Sequence, residues 1–165
     1  MEDIRVYQNH VAFWGSPLSN FHRCKFVYKD VVWKSSEQCF MAMKAKHFND
    51  EETYELILNA RTPRQAKNLG RTVRNFDFSW AGVSKSIMFE VVLAKFSQNE
   101  DLKELLLSEE FRGKKFVEGS PVDKKWGVGM IWTDPAIDDE SKWLGENLLG
   151  QVLDEVRERL LEQNA

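Results

Sequence analysis

The sequence predicts an α+β fold that is mostly helical, with a few short strands near the N terminus and in the centre. Short alternating or apolar runs fill residues 4–33, whereas helical patterns dominate from residue 36 onward. Strands that come first and helices that follow are typical of the α+β class. The chain has 165 residues, of which 42% are hydrophobic. We therefore expect one compact domain over residues 1–165.

Short runs of strand-forming residues predict the strands. Residues 4–7 alternate, residues 11–14 are apolar, and residues 25–29 alternate up to a turn at Lys29-Asp30. The intervening segment 15–21 is rich in turn formers and predicts a loop. A later run at residues 115–119 predicts one more strand, and Ser120-Pro121-Val122-Asp123 leaves it as a turn.

Apolar periodicity and capping signals predict six helices. They cover residues 36–46, 51–59, 63–70, 83–98, 102–107 and 146–162. In the third, Thr62 suits the N-cap, Pro63 suits the first helical position and Gly70 ends the helix. In the fourth, Ile87, Val91, Ala94 and Phe96 are expected to face the core. The last has an inner stripe of Leu149, Val152, Leu153, Val156 and Leu160. Residues 126–145 are expected to form a glycine- and acid-rich loop.

Composition excludes several function classes. The net charge of −3 gives no global attraction to nucleic acid or anionic membranes, so a phosphate-bearing ligand needs a local basic cluster. Two cysteines form no disulfide framework, and three histidines at unrelated spacings favour no metal site. No apolar run approaches a membrane span, and the N terminus lacks a secretory signal. We expect a cytoplasmic protein without a cofactor or a membrane partner.

The start of the first predicted helix carries the most informative pattern. Ser35 suits its N-cap, and Gln38 suits the reciprocal position of a capping box. Glu37 and Lys44 are seven residues apart, so they project, together with Met41, in similar directions from one helical face. Such a pair is either a solvated surface pair or two functional groups of one pocket.

A second pattern is the basic segment from Arg61 to Phe76, which contains five basic residues and no acid. Arg64, Lys67 and Arg71 are spaced three and four apart and share one helix face. This pattern indicates a phosphate clamp. A solvated face, or pairing with the acidic residues at 50–52, explains it equally well.

Loops supply the remaining candidates. Asp123 is presented by a turn, and Trp126-Gly127 allows backbone to approach a ligand closely. Turn formation is the simpler explanation for this aspartate. Asn147 opens the last helix, where it is either an early-turn polar residue or part of an anion site. The acidic run from Asp134 to Glu140 is expected to be a solvated loop.

Together these motifs resemble the NADAR (YbiA-like) family of N-glycosidases from about residue 9 to 160. The resemblance rests on Phe13-Trp14-Gly15, Leu18-Ser19-Asn20-Phe21, Trp33-x-Ser35-Ser36-Glu37-Gln38-x-Phe40-x-Ala42-x-Lys44-Ala45, Ala66-Lys67-x-Leu69-Gly70-Arg71, Trp80, Lys95-Phe96-x-Gln98-Asn99, Leu105-Leu106-Leu107, Val117-Glu118, Asp123-x-x-Trp126-Gly127-x-Gly129 and Asn147-x-Leu149-Gly150. It implies a compact, mostly helical fold.

The resemblance also implies a hydrolase that cleaves the bond between ribose C1 and an exocyclic base nitrogen. The implied substrates are ADP-ribosylated guanine, in nucleotides or nucleic acid, and ribosylamino-pyrimidine phosphates of riboflavin biosynthesis. It assigns functional roles to Glu37, Trp80 and Asp123, with Lys44 and Arg71 in the pocket. The other residues expected to bind substrate are Asn20, Phe21, Trp33, Arg64, Lys67, Trp126, Gly127 and Asn147.

Two mechanisms fit these residues. A carboxylate of Glu37 or Asp123 stabilises the positive charge that develops at C1, or orients water. Alternatively, the Lys44 amine captures C1 of the opened sugar as a Schiff base, which burial beside Trp33, Met41 or Trp80 would favour. A different class of protein, a non-catalytic ADP-ribose or nucleotide-binding module, needs the arginines and aromatic rings but not Glu37.

Overall fold

The fold is described from a computed structural model, which covers residues 3–164. These residues are about half helical with short strands, which confirms the mixed α/β class. The strands are β1 (Ile4–Val6), β2 (His10–Phe13), β3 (Phe26–Tyr28), β4 (Val31–Trp33) and β5 (Lys115–Glu118). The helices are α1 (Ser36–His47), α2 (Glu51–Leu58), α3 (Pro63–Gly70), α4 (Ser79–Ser97), α5 (Glu100–Leu106) and α6 (Leu148–Gln163).

The chain divides into two compact units. The central unit comprises residues 20–99, and the flanking unit comprises residues 1–19 together with 100–165. None of the helices within residues 3–164 combines the length and the apolar character that a membrane crossing requires.

The flanking unit contains a three-stranded sheet in the order β1-β2-β5. β1 runs antiparallel to β2, and β2 runs parallel to β5 with His10 opposite Lys115. The predicted inner stripe of α6 is confirmed, because all five of its residues are buried. On the sheet, Ala12 and Val117 form a core cluster with Val128 and Ile137.

The loop at 126–145 differs from the prediction. It contains two short 3₁₀ helices, Pro135–Asp138 and Glu140–Lys142. Its acids are not simply solvated, since Asp138 lies 3.0 Å from Nδ1 of the buried His10 and Glu140 lies 3.1 Å from Nε2. Both ring nitrogens of His10 thus have a carboxylate oxygen within hydrogen-bond distance. His10 therefore fastens this acidic loop to β2.

In the central unit, β3 and β4 form an antiparallel hairpin around Lys29 and Asp30, which have φ values of 52° and 65°. Two consecutive positive φ angles suit a tight hairpin turn, as the sequence indicated. Helix α1 packs against α2, α3 and α4. Nine of its 12 residues are buried, so even the polar residues of its first turn are enclosed.

Helix α4 begins four residues earlier than predicted. The Asp77 carboxylate accepts the Ser79 N–H at 2.8 Å and organises this start. Two predicted core positions, Ile87 and Ala94, are only half-buried, because the inner face is formed by Trp80, Ser84, Met88, Val91, Val92, Lys95 and Phe96. The polar residues at 84 and 95 interrupt the apolar periodicity on which the prediction relied.

Candidate active site

Glu37 lies in the first turn of α1, and only 8% of its surface is exposed. Ser35 caps the helix, because its hydroxyl accepts the Gln38 N–H at 3.1 Å. The Gln38 side-chain oxygen accepts the N–H of Lys34 rather than that of Ser35, a variation on the predicted capping box. A buried carboxylate is uncommon in proteins, and this one lies in the first turn of a helix. Glu37 is therefore the leading candidate for an acid in this unit.

Asn20 is fixed beside this turn. Its carbonyl oxygen accepts the Glu37 N–H at 3.0 Å, and its side-chain oxygen accepts the Ser36 hydroxyl at 2.9 Å. Its Nδ2 donates to the Met88 sulfur at 3.5 Å. The structure thus brings Asn20 and Glu37 together and sets the position of the asparagine from both α1 and α4.

Trp80 packs across the following turn of α1. Its ring centroid lies 5.2 Å from Phe40 and 5.6 Å from His47. Phe40 is three residues after Glu37, so the indole lies about one helical turn along α1 from that carboxylate. Trp80 is buried but retains 6% of its surface.

Lys44 reaches toward the end of α3. Its Nζ donates to the Gly70 carbonyl oxygen at 2.9 Å and lies 5.1 Å from the centre of the Phe76 ring. Met41 meets the same glycine, because a Cβ at Gly70 would overlap the methionine side chain. Met41 and Lys44 therefore share a face of α1, as the spacing predicted. Phe76, which the sequence analysis did not select, is the aromatic partner of this lysine.

Trp33 occupies a different environment from the one predicted. It is fully buried, its Nε1 donates to the Tyr28 carbonyl oxygen at 3.0 Å, and its ring meets the Tyr54 ring edge-on at 6.5 Å. A ring without exposed surface has no face to offer a ligand. The structure corrects Trp33 from a substrate-binding residue to a core residue of the central unit.

The basic helix α3 carries the predicted cationic face. The Arg64 guanidinium lies 5.5 Å from the centre of the Phe21 ring, and the Lys67 ammonium lies 5.7 Å from it. Arg71 is exposed one turn further on, with its N–H bonded to the Lys67 carbonyl oxygen. Three predicted substrate-binding residues thus form one cluster of two cations and an aromatic ring.

Pairing with the acidic stretch does not account for this face. The Asp50 carboxylate instead binds Arg74 at 2.8 Å, and Glu52 binds the same guanidinium at 3.3 Å. The Arg74 contacts hold the pKa of Asp50 well below its usual range. Within residues 3–164, Arg64, Lys67 and Arg71 make no ion pair. Their charges are available to an anionic ligand.

Asp123 shapes a turn of the flanking unit. One of its carboxylate oxygens accepts the N–H groups of Lys125 and Trp126, each at 2.9 Å. Its own N–H donates to the Ser120 hydroxyl at 3.0 Å. The turn-forming role that the sequence favoured is confirmed. Gly127 follows in a tight position, because a Cβ there would lie 2.9 Å from the Asp123 carbonyl oxygen.

Asn147 is also engaged within the flanking unit. Its Oδ1 accepts the Glu118 N–H and its Nδ2 donates to the Phe116 carbonyl oxygen, both at 3.0 Å. Its backbone is left-handed, with φ of 57°, and its side chain does not cap α6. The amide of Asn147 therefore holds β5. The structure groups Asp123, Trp126, Gly127 and Asn147 within this unit.

The buried, titratable Lys95 was not among the site residues predicted from the sequence. Lys95 on α4 has no exposed surface, and burial lowers its pKa to about 8. A partly deprotonated amine is what Schiff-base chemistry requires, yet this one is sealed inside the central unit. A polar residue within an apolar helix pattern was the signal for it. No group of three or more potential metal ligands is found among the residues that the structure describes.

The chain was compared with known proteins. The NADAR domain family profile matches residues 9–161. Protein irg-1 of Caenorhabditis elegans is 40% identical over 153 residues, which are 90% of this chain and 71% of that protein. An N-glycosidase of Acanthamoeba polyphaga mimivirus is 42% identical over 125 residues, which are 75% of this chain and 72% of that protein. The NMR structure of Escherichia coli YbiA matches with a TM-score of 0.75 at 28% identity, over 99% of this chain and 91% of that one.

Proposed function

Because this chain belongs to the NADAR domain family, we propose that it is a hydrolase, an N-glycosidase that cleaves the bond between ribose C1 and an exocyclic base nitrogen. The observation that carries the proposal is the enclosed Glu37 at the start of α1. A relative that is 42% identical to this chain over 125 residues is named an N-glycosidase. We further propose that residues 1–165 act as one glycosidase domain, which the extent of the family match supports.

The chemistry requires a group that stabilises a cation at C1. As the C1–N bond breaks, the nitrogen takes a proton and leaves, and the oxygen of water bonds to C1. A carboxylate held in a largely enclosed turn acts on the developing charge without reorganising at the moment of reaction. We assign this role to Glu37, with Asn20 fixed beside it. Asp123 is the second proposed carboxylate, although one of its oxygens already accepts two N–H groups of its turn.

The cationic face of α3 favours a substrate that carries phosphate. The cluster of Phe21, Arg64 and Lys67 offers two cations over an aromatic ring, and Arg71 lies one turn away. This arrangement supports a substrate that carries phosphate and a flat base. We propose ADP-ribosylated guanine, in nucleotides or nucleic acid, and ribosylamino-pyrimidine phosphates as the candidates. The reduced thiols of Cys24 and Cys39 support the proposed cytoplasmic setting.

The first prediction concerns Glu37→Gln. The amide keeps the shape of the side chain but cannot stabilise positive charge, so we expect release of free base to fall about 10²- to 10⁴-fold. The release is measured by chromatography on each candidate substrate, with thermal unfolding as the check on folding. The matched control is Glu55→Gln, an exposed position on α2, which should keep full activity. Undiminished activity of Glu37→Gln would remove the proposed role.

A trapping experiment separates the two mechanisms. If the amine of Lys44 captures C1, borohydride added during turnover fixes a covalent adduct that mass spectrometry locates on this residue, and Lys44→Met loses it. Lys46→Gln, at an exposed position two residues further along α1, should keep the adduct. Full turnover without an adduct selects direct attack by water. Tight binding of ADP-ribose with no hydrolysis of any candidate would instead indicate a nucleotide-binding module.

A further inference from the structure

A cavity of about 300 Å³ lies within the central unit where α1 and α3 begin. Three chain segments line it, through residues 23–25, residues 34, 35 and 38, and residues 60–63. Glu37, Lys44 and Trp80 are not among its lining residues. On a helix, Gln38 projects about 100° away from Glu37, so the cavity is distinct from the surroundings of that carboxylate.

Hydrogen bonds hold the three segments in place. The Cys24 N–H donates to the Lys34 carbonyl oxygen at 3.0 Å and joins the first segment to the second. The Gln38 side chain accepts the Lys34 N–H at 2.9 Å and donates to the Ile57 carbonyl oxygen at 3.1 Å. Gln38 thus connects the start of α1 to the end of α2. Hydrogen bonds therefore fix the backbone of the cavity wall, whereas the charged side chains that line the cavity are exposed to solvent.

The third segment is fixed by its own cap. The Thr62 hydroxyl accepts the Gln65 N–H at 3.0 Å, while the Gln65 side chain accepts the Arg61 N–H at 2.8 Å. These bonds form the same variation on a capping box that is found at α1, and they orient the backbone before α3. The base of the Arg61 side chain is therefore set at the cavity wall.

The lining carries only one sign of charge. It includes four cations, Arg23, Lys25, Lys34 and Arg61, and no acid. Within residues 3–164 none of these four side chains takes part in an ion pair. Four like charges around one cavity without a counter-charge repel one another, and an anion relieves that repulsion.

This local charge contrasts with the chain as a whole. The net charge is −3, yet residues 20–99 contain 13 Lys and Arg against eight Asp and Glu, a formal charge of +5. The remaining residues contain 10 against 18, a formal charge of −8. The cationic cavity therefore lies in the basic part of a chain that is acidic overall. Arg61 also begins the basic series that continues to Arg64 and Lys67 on α3.

We propose that this cationic cavity binds the phosphate group of a nucleotide unit next to the one that reacts. The charge selects a phosphate, and the alkyl stems of the lining lysines and arginines, with Ala60 and Pro63, offer apolar surface to the attached sugar or base. The volume is at the small end for ligand pockets and suits one such unit. The inference rests on the proposed function, because it adds a second contact to the same substrate.

The test uses ligands without a scissile bond, so that it is independent of catalysis. An unmodified tetranucleotide and ADP are titrated separately into the ¹⁵N-labelled protein. We expect amide shifts centred on residues 23–25, 34–35 and 60–62. Stronger binding of the tetranucleotide supports the phosphate of a neighbouring nucleotide unit as the ligand. Stronger binding of ADP, which has no neighbouring unit, overturns that assignment. If the amide signals of these segments do not shift with either ligand, the proposal is overturned.

Matched variants test the charges. Lys34→Gln with Arg61→Gln should weaken binding about tenfold and lower the slope of log affinity against log salt by about two. Lys29→Gln with Lys46→Gln removes the same charge from exposed positions of the same unit and should change affinity less than twofold. Equal weakening by both pairs would show general attraction and overturn the site. Glu37→Gln should bind unmodified ligand normally, so loss of cavity binding and loss of hydrolysis are separable results.

Discussion

Lys95 shows how a single residue makes stability depend on pH. Its ammonium is fully buried, 4.8 Å from the centre of the Phe96 ring. Burial lowers its pKa from 10.5 to about 8, while the Cys24 thiolate acts weakly in the opposite direction. Between pH 8 and 10.5 the unfolded chain therefore holds a proton that the folded chain has lost. Its contribution to the free energy of unfolding rises with pH across that window.

We predict that Lys95→Met removes this dependence. The difference in unfolding free energy between wild type and variant should change by on the order of 2–3 kcal/mol from pH 8 to 10.5. Burial raises the pKa of Cys39, so above pH 9 this thiol makes the free energy of unfolding fall with pH. The fall is the same in wild type and variant, and it cancels when the two free energies are subtracted. The free energy of unfolding at each pH is measured by urea unfolding followed by circular dichroism. Parallel pH profiles of the two proteins would contradict the prediction. The control is Lys125→Met at an exposed position, which should give a profile parallel to that of the wild type.

Single residues also show where sequence reasoning is informative. The Ser35 cap, the Asp123 turn and the shared face of Met41 and Lys44 depend on contacts within a few residues, and all three were predicted. Trp33 and Asn147 were expected at a ligand, but the structure uses them in contacts across the fold. The Asn147 amide bonds Phe116 and Glu118, and the Trp33 ring meets Tyr54 of α2, partners that local spacing does not reveal. Catalytic and binding roles themselves remain predictions for the experiments above.

At the scale of elements, two glycines in helices have opposite requirements. Gly70 ends α3, where a Cβ would overlap the Met41 side chain of α1. Its carbonyl oxygen also accepts the Lys44 ammonium. Gly82 lies in α4, and a methyl group added there would have no neighbour within 4 Å among residues 3–164. The contact between α1 and α3 therefore requires a glycine at position 70. No packing contact requires the glycine at position 82 of α4.

We predict that Gly70→Ala destabilises the protein by about 1–2 kcal/mol despite the higher helix propensity of alanine. The displaced Met41 and carbonyl oxygen should also reduce turnover. Gly82→Ala should stabilise the protein by about 0.5–1 kcal/mol, since it meets no neighbour. Thermal unfolding and steady-state kinetics of both variants test the pair. A stabilised Gly70→Ala variant would show that the close approach of α1 and α3 is easily relaxed.

The helices were more predictable than the strands. Helices α1, α2, α3 and α6 agree with their predicted ranges within about two residues, because caps and apolar stripes are local signals. Strand β4 has only three residues, too few for a period to show. The pairing of β2 with β5 joins segments far apart in sequence, and no local pattern specifies it.

At the scale of the whole molecule, β1 and β2 form one sheet with β5, which lies about a hundred residues later in the chain. β1 and β2 supply two of its three strands. Deletion of residues 1–13 should leave β5 without its partner and lower the unfolding temperature by on the order of 10 °C or more. Near-ultraviolet circular dichroism on heating reports the loss of packing. Deletion of residues 164–165 is the control and should have little effect. Native-like melting of the shorter chain would contradict this role.

The parallel pairing of His10 with Lys115 has a consequence for synthesis. Closing a loop of roughly a hundred residues costs about 4 kcal/mol in chain entropy, and this cost comes before the paired strands stabilise the fold. The strand β2 leaves the ribosome long before β5 exists, and Val11 and Phe13, fully buried in the finished sheet, are uncovered meanwhile. Exposed apolar strands of this kind associate with other chains. The yield of folded protein will therefore depend on how quickly the second half of the chain follows the first.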